Sequence, residues 1–315
     1  MRDDHVLSSD AGGGLEAVYV PSAGMVCASL RHRGEELLGQ RGGLERYVAE
    51  RGTMGISLLH PWANRLSASR VEAGGQTVDA TAAGPAAAVD PNGLPIHGLL
   101  SAHDGWEVMA ADSSRISARF DFAAQPELMA AFPFPHELRM DVALQDATLT
   151  VTTTLRATGD RPVPISFGYH PYFALPGVPR ADWEIELPVG DHLVVDERMI
   201  PTGEREPAQG VESGPLGDRT FDDGYVEVAA GTRFAVSGGD RRIEVTFDEG
   251  YPVAVVYAPD NDDVICFEPM TAPPNALCSG DGLQFVQPGE TFPAAFSVSL
   301  AEAQRSASAP EYSSA

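Results

Sequence analysis

Four short segments hold the residue types that acid–base chemistry on a small molecule requires, each where an apolar run is interrupted or ends. The first, His60-Pro61-Trp62-Ala63-Asn64-Arg65-Leu66, sets an arginine among apolar neighbours. Its guanidinium has five donors to satisfy, which suits a ligand's hydroxyls or a buried carboxylate. An arginine capping a turn with its stem packed on Trp62 fits the same pattern. The second, Pro95-Ile96-His97-Gly98-Leu99-Leu100, puts an imidazole beside a glycine whose backbone reaches dihedrals other residues avoid. Taken alone, it fits a hydrogen-bonded structural histidine as well as a ligand-binding one.

The third segment, Ile165-Ser166-Phe167-Gly168-Tyr169-His170-Pro171-Tyr172-Phe173, delivers His170 into an aromatic cluster, and Pro171 is expected to stop the strand there. Aromatic faces stack on the C–H faces of sugars, and an apolar setting makes an imidazole's pKa easy to tune. An aromatic core plug with one bonded histidine is the alternative. In the fourth, Val264-Ile265-Cys266-Phe267-Glu268-Pro269-Met270-Thr271, Glu268 is expected to end an apolar strand, with Asn275-Ala276 following. A carboxylate there is expensive to bury, so it is either paired with a cation or tuned for proton transfer. The cation would be Arg65 or another arginine, and an arginine that orients a carboxylate leaves it free to act as a base.

Other chemistries fit less well. His60, His97 and His170 with Glu268 have the makings of a cupin-like metal site, but the histidines are far apart in sequence and no HxH or HxxxH occurs. Cys27, Cys266 and Cys278 form no CxxC pair and no disulfide framework. The glycines at 12–14 and 238–239 lack the lysine and helix context of a phosphate loop. No metal and no cofactor is expected.

The elements that must position these groups are strands. Period-2 alternation rich in β-branched and aromatic residues marks residues 15–20, 106–110, 115–122, 138–144, 148–155, 242–247 and 292–300. Asp146-Ala147 reads as a turn and Gly74-Gly75 as a tight hairpin. Only 44–50 and 127–131 look helical, and 25 prolines and 32 glycines leave little room for long helices. With no 40–50-residue repeat to suggest a propeller, a large antiparallel sandwich is expected. We read 1–301 as one domain and 302–315, rich in Ser and Ala, as a fraying tail.

The 315 residues include 45 Asp and Glu against 21 Lys and Arg, a formal charge of -24. Such a surface repels nucleic acid and anionic lipid but puts no penalty on a neutral small molecule. No stretch has signal-peptide character or approaches the roughly 20 apolar residues of a membrane span. A cytoplasmic protein, monomeric or homodimeric, is expected, with neither nucleic acid nor membrane as partner.

Together, in this order, the Asn-Arg turn, the His-Gly pair, the aromatic His-Pro-Tyr-Phe and the Glu-Pro-Met-Thr strand resemble the aldose 1-epimerase, or galactose mutarotase-like, family. The resemblance runs from Asn64 to Asn275. It implies an all-β supersandwich and interconversion of α and β anomers of a free aldohexose without a cofactor. It further implies His170 as catalytic acid and Glu268 as catalytic base, starting protonated and ionised respectively. Sugar hydroxyls would be held by Arg65 and His97, with Asn64 and Tyr172 beside them. An aspartate between the last two motifs completes the set; Asp222 is the candidate, with Asp223 adjacent to it.

Three rival readings remain. A hexose-6-phosphate 1-epimerase on the same fold needs a basic cluster, for which Arg31, Arg33, Arg41 and Arg70 are available, against the net acidity. A non-catalytic carbohydrate-binding protein would keep the aromatics but has no need of both His170 and Glu268. A glycosidase would pair Glu268 with Asp222.

Overall fold

The computed structural model describes residues 4–10, 14–208 and 213–302. The expected tail, 303–315 in particular, lies outside the described residues. Among the described residues, strands assemble into an eleven-stranded and a nine-stranded antiparallel sheet. The nine-stranded sheet holds most of the strands legible by alternation, including the long neighbours His136–Gln145, Thr148–Ala157 and Thr291–Glu302. Their register runs unbroken, Leu138 opposite Leu155 and Val151 opposite Phe296. The turn between the first two carries Asp146 and Ala147 at φ 49° and 61°, and Gly74 and Gly75 turn the hairpin between Arg70–Ala73 and Gln76–Asp79.

The eleven-stranded sheet carries His170 and Glu268. At its centre lie Ile56–Leu59, Gly168–Phe173, Ile265–Met270, Val253–Ala258 and Phe221–Val226, in that spatial order. Successive side chains of a strand point to opposite faces. Tyr169 accordingly meets Thr153 of the other sheet, hydroxyl to hydroxyl at 2.6 Å, and Phe267 packs on Phe234 and Phe173 in the core. Their neighbours His170 and Glu268 therefore face away from the core layer. The two sheets thus bury one aromatic and aliphatic interior between them, and the outer face of the larger sheet sets His170 and Glu268 among smaller buried apolar groups such as Val253, Val255, Cys266 and Met270.

Two sequence expectations need correcting. Pro171 does not stop its strand, which continues to Phe173, and Glu268 lies inside its strand, not at its end. Gly168, Tyr169, His170 and Pro171 all pair with Ile56–Leu59 on one side, so that ladder holds the strand straight through the proline. On the other side, Gly168 lies opposite Met270 and Tyr172 opposite Cys266, and no pairing joins the two between these points. Pro171 and Pro269 lack the N–H groups that would bond there. Among the described residues the α-helices are short, Gly43–Glu50 and Pro126–Ala131 close to the expected positions and Ala276–Ser279 in addition. No described helix is long and apolar enough to cross a membrane.

Candidate active site

His170 and Glu268 are brought together by strand register. Two positions in from each end of the ladder gap, His170 falls opposite Glu268, and Nε2 of one lies 3.3 Å from Oε1 of the other. Both are buried. The Tyr172 ring stacks on the His170 ring at 4.2 Å, and its hydroxyl sits 3.1 Å from the same Nε2. Thr53 Oγ1 meets that hydroxyl at 2.6 Å, so a short relay of polar groups ends on the imidazole. Glu268 Oε2 and Nδ1 of His170 and His97 have no hydrogen-bond partner, an uncommon state for buried polar atoms.

Two loops carry the remaining groups and are laced to each other. His60 carbonyl oxygen accepts from the N–H of Leu99 and Leu100, His97 N–H donates to Asn64 carbonyl, and Leu66 N–H donates to Pro95 carbonyl. Asn64, His97 and Gly98 have φ of 57°, 62° and 75°. A Cβ on Gly98 would lie 2.2 Å from the His60 carbonyl oxygen, so the glycine after His97 is a packing requirement as well as a conformational one. Asn275 Oδ1 accepts from Ser67 N–H and ties this loop pair to the segment after Glu268.

One cavity of about 180 Å³ is lined by all seven residues singled out in the sequence: Asn64, Arg65, His97, His170, Tyr172, Asp222 and Glu268. Strand alternation decides between the neighbouring aspartates. Asp222 faces the cavity, and Asp223 faces the other way to meet His192 at 3.1 Å. Thr53 and Tyr257, which sequence reading does not place there, also line it, as does Arg41, one of the four arginines available to a phosphate-binding cluster. The Arg41 guanidinium lies 4.9 Å from the Tyr172 ring centre.

Arg65 does not pair with Glu268 as expected. Its Nε donates to Asp90 Oδ2 at 3.0 Å, and Nη2 lies 3.8 Å from Asp222. Asp90, which no motif flagged, is anchored by the N–H groups of Asn92 and Leu94 and is therefore the better-organised acceptor. His60 is also displaced from the cavity. Its Nε2 bonds His136 Nε2 at 2.7 Å in a nest of Phe122, Phe167 and His136 rings, so the cupin-like group of three histidines with Glu268 does not assemble.

Burial dominates the electrostatics. His170 is held well below the ordinary imidazole range by loss of solvent, with His97 and Arg41 acting in the same direction. Glu268 is pushed well above the carboxylate range by burial and by Asp222, while Arg65 opposes this. His97 is lowered to about 3 by burial and by Arg65, so it is neutral. Asp222 is raised by burial, with Arg65 acting against the shift. The pair expected as imidazolium and carboxylate thus favours a neutral imidazole beside a carboxylic acid, because a dry site disfavours separated charges. Either arrangement holds the same number of protons, and a single transfer between His170 and Glu268 interconverts them.

Ligand atoms of His170, Cys266 and Glu268 lie within 4.8 Å of one another, the one group with metal-like spacing among the described residues. Burial and Glu268 push the Cys266 thiol well up, which keeps it protonated and a poor ligand. The donor set suits proton exchange better than metal binding.

The sequence profile of the aldose 1-epimerase family matches residues 8–299. The chain belongs to the aldose 1-epimerase family. Solved structures of similar fold include a galactose mutarotase-like protein from Clostridium acetobutylicum, at 18% identity and a TM-score of 0.79, covering 94% of this chain and 95% of that one. A Synechocystis protein gives 22% identity, a TM-score of 0.76 and coverage of 95% and 96%. A galactose 1-epimerase from Lactobacillus acidophilus gives 17%, 0.73, and coverage of 95% and 94%. The fold is therefore the galactose mutarotase-like β-supersandwich. A comparison with curated protein sequences finds no significant match.

Proposed function

We propose that this member of the family is an aldose 1-epimerase acting on a free aldohexose, with His170 and Glu268 as its acid–base pair. The observation that carries the reading is their apposition, Nε2 to Oε1 at 3.3 Å, in a cavity whose other walls include the polar side chains of Asn64, Arg65, His97 and Asp222. Opening a cyclic hemiacetal requires a base for the O1 proton and an acid for the ring oxygen. Both oxygens are bonded to the anomeric carbon, so the two groups must act side by side. Glu268 takes the O1 proton and His170 protonates the ring oxygen; the aldehyde turns about C1–C2, and closure on its other face reverses both transfers.

The neutral resting pair is compatible with this. A sugar hydroxyl donating to the unpartnered Glu268 Oε2 favours the carboxylate, because hydrogen bonds to the charged form lower its pKa. The proton then belongs on His170, where the opening step needs it. Arg65, fixed by Asp90, and Asp222 and His97 present donors and acceptors to the remaining hydroxyls. Tyr172 and Tyr257 supply aromatic surface.

The sugar-phosphate alternative is weakened by where the arginines lie. Arg31 pairs with Glu36, Arg70 with Asp79, and Arg33 Nη1 lies 3.4 Å from Asp240; of the four, Arg41 alone lines the cavity. The test is polarimetry of freshly dissolved α-D-glucose and α-D-galactose with wild type, His170→Asn and buffer. Acceleration by wild type alone is expected. Equal rates in all three would end the epimerase reading.

A further inference from the structure

A recess of about 20 Å³ adjoins the cavity of His170 and Glu268 and shares Asn64, Arg65 and Asp222 with it. Its remaining walls are apolar, with Leu193, Val195, Met199 and Val255 set around Gly224. A cavity needs about 10–15 Å³ to hold one water, which must also find two to four polar partners. This recess therefore has room for a single methyl-sized group and suits an apolar one. We infer that it receives the methyl of an acetamido group on C2, so that the preferred substrate is a 2-acetamido-2-deoxyaldohexose.

Register sets the direction. His170 faces Glu268, Glu268 lies opposite Val255, and Val255 lies opposite Gly224, one row of positions across four strands. Leu193 extends the row, since a Cβ on Gly224 would lie 3.2 Å from its Cδ1. Seen from His170, the recess lies beyond Glu268. The next step rests on the proposed roles of that pair. With the ring oxygen at His170 and O1 at Glu268, C5 and C6 stay on the His170 side, joined through the ring oxygen. C2 is the other ring neighbour of C1, and its substituent is vicinal to O1. The group that continues along the row past Glu268 is thus the one on C2.

Reach and polarity name that group. Adjacent strands stand about 4.8 Å apart. A hydroxyl oxygen extends one bond from C2 and falls short of the next strand. The methyl of an acetamido group stands about 3.8 Å from C2, as consecutive Cα atoms do across a trans peptide. An amide also needs an acceptor for its N–H and a donor for its carbonyl oxygen. Asp222 supplies the acceptor, because Arg65 Nη2, at 3.8 Å, is too distant to hydrogen-bond it. Asn64 supplies the donor: its Oδ1 accepts from the Arg65 N–H, which leaves Nδ2 for a ligand. A bare C2 ammonium would use Asp222 but leave the apolar recess unfilled.

The test is the mutarotation kinetics of D-glucose, N-acetyl-D-glucosamine and N-butanoyl-D-glucosamine in wild type and Gly224→Ala. Gly224 is a strand residue that lines the recess but not the inner cavity, and its φ is not in the left-handed region. The methyl that Gly224→Ala adds takes the space inferred for the ligand's own. N-Acetyl-D-glucosamine should show kcat/KM about tenfold above D-glucose, the low end of what one methyl in an apolar pocket is worth. Gly224→Ala should erase that advantage and keep glucose turnover, and the longer N-butanoyl chain should bring wild type down to the glucose level or below. Val195→Phe, at a half-buried position on the same wall, repeats the test should Gly224→Ala fail to fold. Turnover of glucose with no preference for the acetamido sugar overturns this inference and leaves the epimerase reading standing. A preference that survives both variants, or that the N-butanoyl sugar shares, overturns the placement of the methyl in the recess. No acceleration of any of the three sugars overturns both readings.

Discussion

His170 and Glu268 stand opposite each other on adjacent antiparallel strands, at the point where Pro171 and Pro269 interrupt the ladder between them. The gap is flanked by paired residues, Gly168 with Met270 and Tyr172 with Cys266, so the two side chains are held in place by strands that remain fixed at both ends. Cross-strand neighbours are the closest side-chain pairs a sheet offers. The sheet thus supplies an acid and a base at contact distance without relying on a mobile loop.

Glu268→Gln keeps the shape and removes the proposed base. Turnover should fall by about 10²–10⁴-fold, the usual contribution of a positioned acid or base. Folding should not suffer, because burial already disfavours the charge that the substitution removes. Polarimetric rates and thermal midpoints measured on the same preparation decide it; near-normal turnover sinks the assignment.

Acid should destabilise the fold through its buried histidines. His97 and His136 are lowered to about 3 and about 4, both chiefly by burial. A lowered histidine contributes stability that is present above its unfolded value near 6.5 and lost as pH falls toward the folded value. Between pH 7.5 and 5 each should surrender about 2 kcal/mol. Glu268 works in the opposite sense, since a raised carboxyl stabilises at low pH and loses that contribution as pH rises. Urea unfolding of Glu268→Gln at the two pH values isolates the histidines; unchanged midpoints would contradict their burial as neutral groups.

Much of this was legible in the amino-acid order, and the remainder was hidden for physical reasons. Alternation found the hairpin strands because each buries one face, and the four motifs all reached one cavity. What failed depended on long-range register. Pro171 reads as a strand end only when the neighbouring strand Ile56–Leu59, whose ladder carries it, is not in view. Asp90 sits in a turn whose acid has the look of an ordinary loop residue, yet backbone N–H groups make it the stronger partner for Arg65. His60 looked equivalent to His97, but an aromatic nest on the other side of its loop claims it. Arg41, Thr53 and Tyr257 come from segments with no motif and enter the cavity through topology alone.

Tyr172→Phe removes the hydroxyl between Thr53 and His170 but keeps the stacked ring. One hydrogen bond of about 0.5–1.5 kcal/mol should translate into a roughly 2–10-fold loss in kcat, with KM little changed. The acidic limb of the pH–rate profile should also move, because the hydroxyl bonds the titrating nitrogen. A change confined to KM would mean that Tyr172 acts as a stacking surface only.

Asp90→Asn separates the two jobs that Arg65 can do. Asp90 is buried, receives Arg65 Nε at 3.0 Å, and holds its own position through two backbone N–H groups. Removing the charge leaves a largely buried guanidinium with Asp222 as its remaining near carboxylate, at 3.8 Å. Breaking such a pair should cost about 3 kcal/mol in urea unfolding. It should also let Arg65 swing toward Asp222, disturbing two groups proposed to hold the sugar while leaving the His170–Glu268 contact untouched. KM should therefore rise by about tenfold with kcat nearly preserved, the signature of lost uniform binding. A collapse of kcat at unchanged KM would show instead that Arg65 acts through Glu268, and that its pairing with Asp90 serves the base more than the substrate.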